Sequence, residues 1–124
     1  MVSRMNKKTY IDIQKERYYK IIAIRCRCLS NELVFFNNFG LNHILRKNNK
    51  DRTFQDQFRR FELIKFCKYI LENVDVKVEY RVYRRKSSVA HFWGIIGEVD
   101  RKRIKVVVRR ISNGQIIFLS IMDY

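Results

Sequence analysis

Lys105-Val-Val-Val-Arg109-Arg-Ile-Ser-Asn113-Gly114-Gln-Ile-Ile-Phe118-Leu-Ser120-Ile-Met122 is the stretch that decides the fold. Asn-Gly between two alternating runs is the strongest short-range signal for a two-residue type I′ hairpin. With Asn113-Gly114 as the turn, Ser112 opposes Gln115, Arg109 opposes Phe118, Val107 opposes Ser120 and Lys105 opposes Met122. Opposed residues project from one sheet face. Ile104, Val106, Val108, Ile117, Leu119 and Ile121 then form a wholly apolar face that packs on the rest of the chain. Lys105, Val107, Arg109, Phe118 and Ser120 form the other face, which mixes cations, a ring and a hydroxyl.

Working upstream, Val89–Val99 reads as a strand joined to this hairpin by a tight turn at Asp100-Arg101, which pairs Phe92 with Arg109 and His91 with Arg110. That register sends Trp93 and Ile95 to the core and Phe92 to the open face; a one-residue bulge would send His91 there instead. Val76, Val78, Tyr80 and Val82 alternate with Lys77, Glu79, Arg81 and Tyr83, a further half-buried strand. Earlier the period is helical. Asn6 to about Cys28 carries a stripe at Ile11, Tyr18, Ile22 and Leu29, with the β-branched cluster Ile21, Ile22 and Ile24 weakening its end. Residues 32–37 are a possible short strand. Gly40–Lys47 reads as a short helix, and Phe54–Asn73 as a long one with Thr53 as N-cap. The prediction is a single α+β domain over residues 1–124. Residues 1–75 are a mainly helical half, packed on one face of a four-stranded antiparallel meander over residues 76–122.

The charge limits the partners. Lys and Arg number 27 against 12 Asp and Glu, a formal +15, with the cations spread over predicted helices, strands and turns. Such a field attracts polyanions. Membrane-surface proteins gather their charge on one amphipathic helix or tail, which argues against a membrane partner here. There is no long apolar stretch to span a bilayer and no apolar segment after the basic N-terminus to act as a secretory signal. Three cysteines are an odd number, which fits a reducing cytoplasm rather than a disulfide framework. Cys26-x-Cys28 lacks the second close pair that zinc would need, so neither metal nor cofactor is expected.

The open face of Arg109, Lys105, Phe118 and Ser120 is suited to RNA, with cations for phosphate and a ring for a base. An ordinary solvated sheet face is the competing reading. RNA is cut without metal when a base deprotonates the 2′-hydroxyl, an acid protonates the leaving 5′-oxygen and cations stabilise the phosphoryl charge. The sequence has two histidines, His43 and His91, and histidine is the side chain best suited to proton transfer near neutral pH. On a helix, Arg46 and Lys47 fall at i+3 and i+4 from His43, lowering its pKa and offering cations to a phosphate. Arg59 and Arg60 on the long helix are further cations, with Arg60 placed to pair with Asp56. His91 reads equally as a strand-packing residue. No carboxylate pair has two-metal spacing, and no P-loop, dinucleotide fingerprint, HExxH or GxSxG is present.

Three segments, Gly40-Leu-Asn-His-Ile-Leu-Arg-Lys47, Val106-Val-Val-Arg109 and Gly114-Gln-Ile-Ile-Phe-Leu-Ser120, carry a resemblance spanning residues 32–122. A helix histidine followed by an antiparallel sheet with an arginine and a last-strand serine resembles the barnase–EndoU–colicin–RelE superfamily of metal-independent ribonucleases. The phage-associated branch and the colicin-D-type tRNases are the most similar. The resemblance implies an endoribonuclease, toxin-like or phage-derived, in which His43 is base or acid, Arg109 holds the phosphate and Ser120 positions it. Arg46 and Lys47 would support, alongside RNA contacts from Arg59, Arg60, His91, Lys105 and Phe118. It further implies tRNA or rRNA as target and an acidic inhibitor or antitoxin as partner. A second proton carrier is not evident. A non-catalytic RNA- or DNA-binding module, or a structural domain of a ribosome or phage particle, accounts for the same basic surface without turnover.

Overall fold

A computed structural model describes residues 6–124. In chain order it contains α1 (Lys7–Ile21), β1 (Ala23–Cys26), a 3-10 turn, β2 (Glu32–Phe35), α2 (Asn38–Leu45), β3 (Arg46–Lys47), β4 (Lys50–Asp51), α3 (Phe54–Ile64), α4 (Cys67–Glu72), β5 (Lys77–Arg84), β6 (Val89–Val99), β7 (Lys102–Ile111) and β8 (Ile116–Asp123). The class is α+β, but the sheet corrects the four-stranded antiparallel meander. It has six strands in the order β1-β2-β8-β7-β6-β5, and β2 runs parallel to β8 through Val34–Ile116 and Phe35–Ile117. The helices alternate with β1 and β2 instead of forming a separate helical half.

Local chemistry explains each departure from the predicted elements. Asn6 caps α1 by accepting the Thr9 N–H at 2.7 Å. The helix does not continue to Cys28. It stops at Ile22, where φ is 63°, and the branched residues that follow pair as β1 with β2. The long helix breaks in two at Lys65-Phe66, where the Phe66 N–H turns back to the Leu63 carbonyl at 2.9 Å. This lets Phe61 and Leu63 bury on one segment and Cys67, Ile70 and Leu71 on the other. The short helix ends at Leu45, so Arg46 and Lys47 leave it and enter a two-stranded ribbon closed at Asn48-Asn49, both with positive φ.

The Asp100-Arg101 turn forms as read, with φ of 50° and 66°. Phe92 therefore faces Arg109 and His91 faces Arg110. The last hairpin differs. Its turn centres on Ser112-Asn113, with Ser112 at φ 50° and the Gly114 N–H bonded to the Ile111 carbonyl at 2.9 Å. The type I′ turn at Asn113-Gly114 is thereby corrected. Val107 still opposes Ser120 and Lys105 still opposes Met122, but Leu119 is an extra residue in β8, so Arg109 opposes Ile117 and Val108 opposes Phe118. A one-residue shift exchanges the faces. Phe118 thus leaves the open face for the core, where it is fully buried and stacked on Phe36 with centroids 4.7 Å apart.

The core lies between Ile95, Ile104, Val106, Val108, Ile116, Phe118 and Ile121 of the sheet and the helices. α4 covers β1, β6 and β7, and α3 packs on β8 and α2. β2 ends after Phe35, leaving the rest of that edge of β8, the one away from β7, without a strand neighbour, and α2 packs there. Among the described residues no helix is long and apolar enough to cross a membrane.

Candidate nucleic-acid interface and catalytic cluster

Helix α2 is pinned against β8 by close packing. Its N-cap Asn37 accepts the Phe39 N–H at 3.0 Å. The Tyr18 hydroxyl, on a buried ring, donates to the Asn37 carbonyl at 2.7 Å. Gly40 lets the helix approach: a Cβ there would lie 2.5 Å from the Phe118 carbonyl oxygen and 2.6 Å from both the Phe118 ring and the Tyr18 hydroxyl. One turn on, His43 sits half-buried beside Phe39, with ring centroids 5.1 Å apart.

The open sheet face reaches this helix through Arg109. Its guanidinium lies over the Phe39 ring, 4.0 Å from the centroid, and its Nε is buried with no hydrogen-bond partner. A buried donor without a partner carries a desolvation cost that a bound acceptor would remove. On the other side of His43, Arg52 donates to the His43 carbonyl at 2.9 Å and to Asp56 at 2.9 Å. Asp56 also receives Arg60 at 3.1 Å, the pair expected from the sequence. Arg60 Nη1 in turn donates to Ser120 Oγ and to the Ile121 carbonyl, each at 3.0 Å. Asp56 would be raised by burial, but the Arg52 hydrogen bond and the Arg60 and Arg52 charges outweigh this and lower its pKa.

Burial, then the charges of Arg109, Arg52 and Arg60, push the His43 pKa below its ordinary 6.5. The imidazole thus lies in the field of three guanidiniums, one of which also holds Ser120. A chain of contacts connects the four candidates: Arg109 lies on Phe39, whose ring neighbours His43; Arg52 holds the His43 carbonyl and Asp56; and Arg60 joins Asp56 to Ser120. It adds Arg52 and Phe39, which the sequence reading did not single out. The Asn48-Asn49 pair was the available signal for Arg52: a turn there folds the chain back and brings Arg52 under α2, where its N–H joins the Leu45 carbonyl at 2.9 Å.

Other expected contacts are placed elsewhere. Arg46 is exposed in the ribbon, bonded to Asp51 at 2.9 Å and the Asn49 carbonyl, and Lys47 stands across from Lys50. Neither lies on the helix face of His43, which corrects their supporting role. Arg59 pairs with Asp123. Lys105 is held by Glu79 at 2.8 Å. His91 projects from the helix side of the sheet, accompanied by Tyr80 and Trp93 with centroids 5.9 and 5.8 Å away, and its Nδ1 is 2.6 Å from the Tyr80 hydroxyl.

Beyond Arg109 the open face forms a groove of about 760 Å³, lined by β5, β6, β7 and the β5–β6 loop. Among the described residues no three His, Cys, Asp or Glu side chains converge as a metal site requires. No family model matches the chain, and neither curated proteins nor solved structures give a match.

Proposed function

We propose that this chain is a metal-independent endoribonuclease that cleaves RNA through attack of a 2′-hydroxyl on the adjacent phosphate. The observation that carries the reading is a half-buried His43, its own carbonyl held by Arg52, beside Phe39, on whose ring Arg109 lies with its Nε lacking a partner. His43 takes the 2′-hydroxyl proton as general base. The 2′-oxygen then bonds to phosphorus and the bond to the 5′-oxygen breaks. Charge builds on the phosphoryl oxygens, where Arg109 and Arg60 donate, and the Ser120 hydroxyl orients the group. The leaving oxygen recovers a proton from the imidazolium or from water, and the product ends in a 2′,3′-cyclic phosphate. The net charge and three free thiols support action on RNA in a reducing, cytoplasmic setting and an acidic protein as inhibitor.

The test is incubation with labelled RNA in EDTA. Fragments with cyclic phosphate ends are expected, and His43→Ala should lower the rate at least a hundredfold, within the usual range for general base catalysis. Equal cleavage by the variant would remove His43 from the reaction. A non-catalytic RNA- or DNA-binding module is the second reading. It is favoured by the placement of the other histidine, His91, on the opposite sheet face, since this leaves His43 without a histidine partner. Salt-sensitive binding with intact RNA would decide for it.

A further inference from the structure

We propose that the groove on the open sheet face is a subsite for single-stranded RNA, receiving the nucleotides that run from the phosphate at Arg109 toward β5. It rests on the ribonuclease reading for where the strand is cut, though not for whether the groove binds. Its axis is the cross-strand row Arg81–Phe92–Arg109, a cation, a ring and a cation on one face. Strands are spaced about 4.8 Å apart, so the two arginine backbones stand about 10 Å apart. The Arg109 guanidinium is turned away from β5, onto Phe39 of α2, so the two cations suit successive phosphates of one strand.

Charge supports the same occupant. Among the described residues Glu79 is the only acid lining the groove, and Lys105 and the Tyr124 hydroxyl hold it at 2.8 and 3.1 Å. Arg81, Arg84 and Arg85 are exposed and have no ion-pair partner among the described residues. A cation-lined groove whose acid is already neutralised is complementary to a polyanion. The rings narrow the class further. Tyr83 meets Phe92 edge to face, with centroids 5.5 Å apart and an 88° angle, so two rings at right angles line the groove. Ala90 and Gly94 flank Phe92 on the same face; the small Ala90 lies on one side, and the Lys105 side chain covers Gly94 on the other. Aromatic faces take unstacked bases, which a duplex does not offer.

The test uses His43→Ala as the parent, to keep RNA intact, and fluorescence anisotropy at fixed salt. The probes are a mixed-sequence single-stranded RNA of about ten nucleotides and a duplex of the same sequence. The single strand should bind more tightly than the duplex. Arg81→Ala and Phe92→Leu should each weaken it by about fivefold or more. Arg81→Ala should also reduce the salt slope by about one phosphate, whereas Phe92→Leu should leave it unchanged. Arg81 is exposed, so its variant carries no folding risk. Parental affinity in both variants, or equal affinity for the duplex, overturns the proposal. If the unmodified chain leaves RNA intact while both variants lose affinity, the ribonuclease reading fails and the groove stands. If it cleaves RNA while both variants bind as the parent does, the groove fails and the ribonuclease reading stands.

Discussion

Gly40→Ala tests the packing that brings the histidine to the arginine. In an ordinary helix interior this substitution stabilises by up to about 1 kcal/mol, because glycine loses the most backbone freedom on folding. Here the added methyl would meet three atoms at 2.5–2.6 Å, one of them the backbone oxygen of Phe118, which cannot rotate away. Forcing a methyl into a packed site costs about 1–3 kcal/mol. With the propensity gain subtracted and a clash against backbone at the upper end of that range, the net loss is about 1–2 kcal/mol. For a chain of this length that is a Tm lower by about 3–10 °C. Relief by sliding α2 off β8 moves His43 relative to Arg109, and a displacement near 1 Å costs about a hundredfold in rate. Thermal unfolding followed by circular dichroism reads the first effect, and RNA cleavage at a permissive temperature reads the second. Adding Tyr18→Phe removes one of the three colliding atoms. The double variant should therefore lose less than the sum of the singles, by at least about 0.5 kcal/mol. A Tm equal to or above the parent's would refute the close approach, and strict additivity would refute the part assigned to the Tyr18 hydroxyl.

Three further outcomes follow from local chemistry. Because burial and the charges of Arg109, Arg52 and Arg60 lower the His43 pKa, cleavage should stay near its plateau as pH falls through 6.5 and decline only below it. The same shift makes the folded state bind fewer protons than the unfolded one, so stability drops as pH falls below about 6.5; a rate profile centred at or above 6.5 contradicts both. The hydrogen bond from Cys26, with sulfurs 3.5 Å apart, holds the Cys28 thiol down to about 7, whereas burial keeps Cys67 protonated. Iodoacetamide should label Cys28 first, with a rate rising through about pH 7, and mass spectrometry finding Cys67 labelled as fast would discard the arrangement. Arg101→Gly should raise Tm by a few degrees, since Arg101 at φ 66° bears a left-handed cost of about 1–2 kcal/mol that glycine does not; a lowered Tm would mean that the turn is not type I′.

Where the sequence could be read, a local rule had no tertiary competitor. Asp100-Arg101 sits in an isolated two-residue turn, so its register carried Phe92 to Arg109 unaided. The Arg60–Asp56 pair is set by helical spacing alone. Where the reading failed, a distant partner decided. Ile24 satisfies helical and strand periods alike, and only pairing of β1 with β2 selects the strand. The break at Lys65-Phe66 has no proline or glycine to announce it; it exists because both segments must bury apolar faces that one straight helix cannot. The bulge at Leu119 is equally silent, and it moved Phe118 from the candidate surface into the core.

That bulge also explains how the two halves of the candidate site can meet. Without it, Phe118 would stand beside Arg109 on the open face and Leu119 would fill the core. The Phe36–Phe118 stack and the seat under Gly40 would be lost, and with them the support that holds α2 against β8. With it, β8 serves both sides. Before Leu119 its side chains follow the register that buries Phe118 under α2, and after Leu119 they return to the register that sets Ser120 opposite Val107, within reach of Arg60. Arg109, now opposite the aliphatic Ile117, has no large ring beside it on β8, and its guanidinium lies against Phe39 of α2. The extra residue therefore couples core and surface. A ladder that carried the Val107–Ser120 register unbroken back to the turn would return Phe118 to the open face, and it should cost the fold and the cluster together.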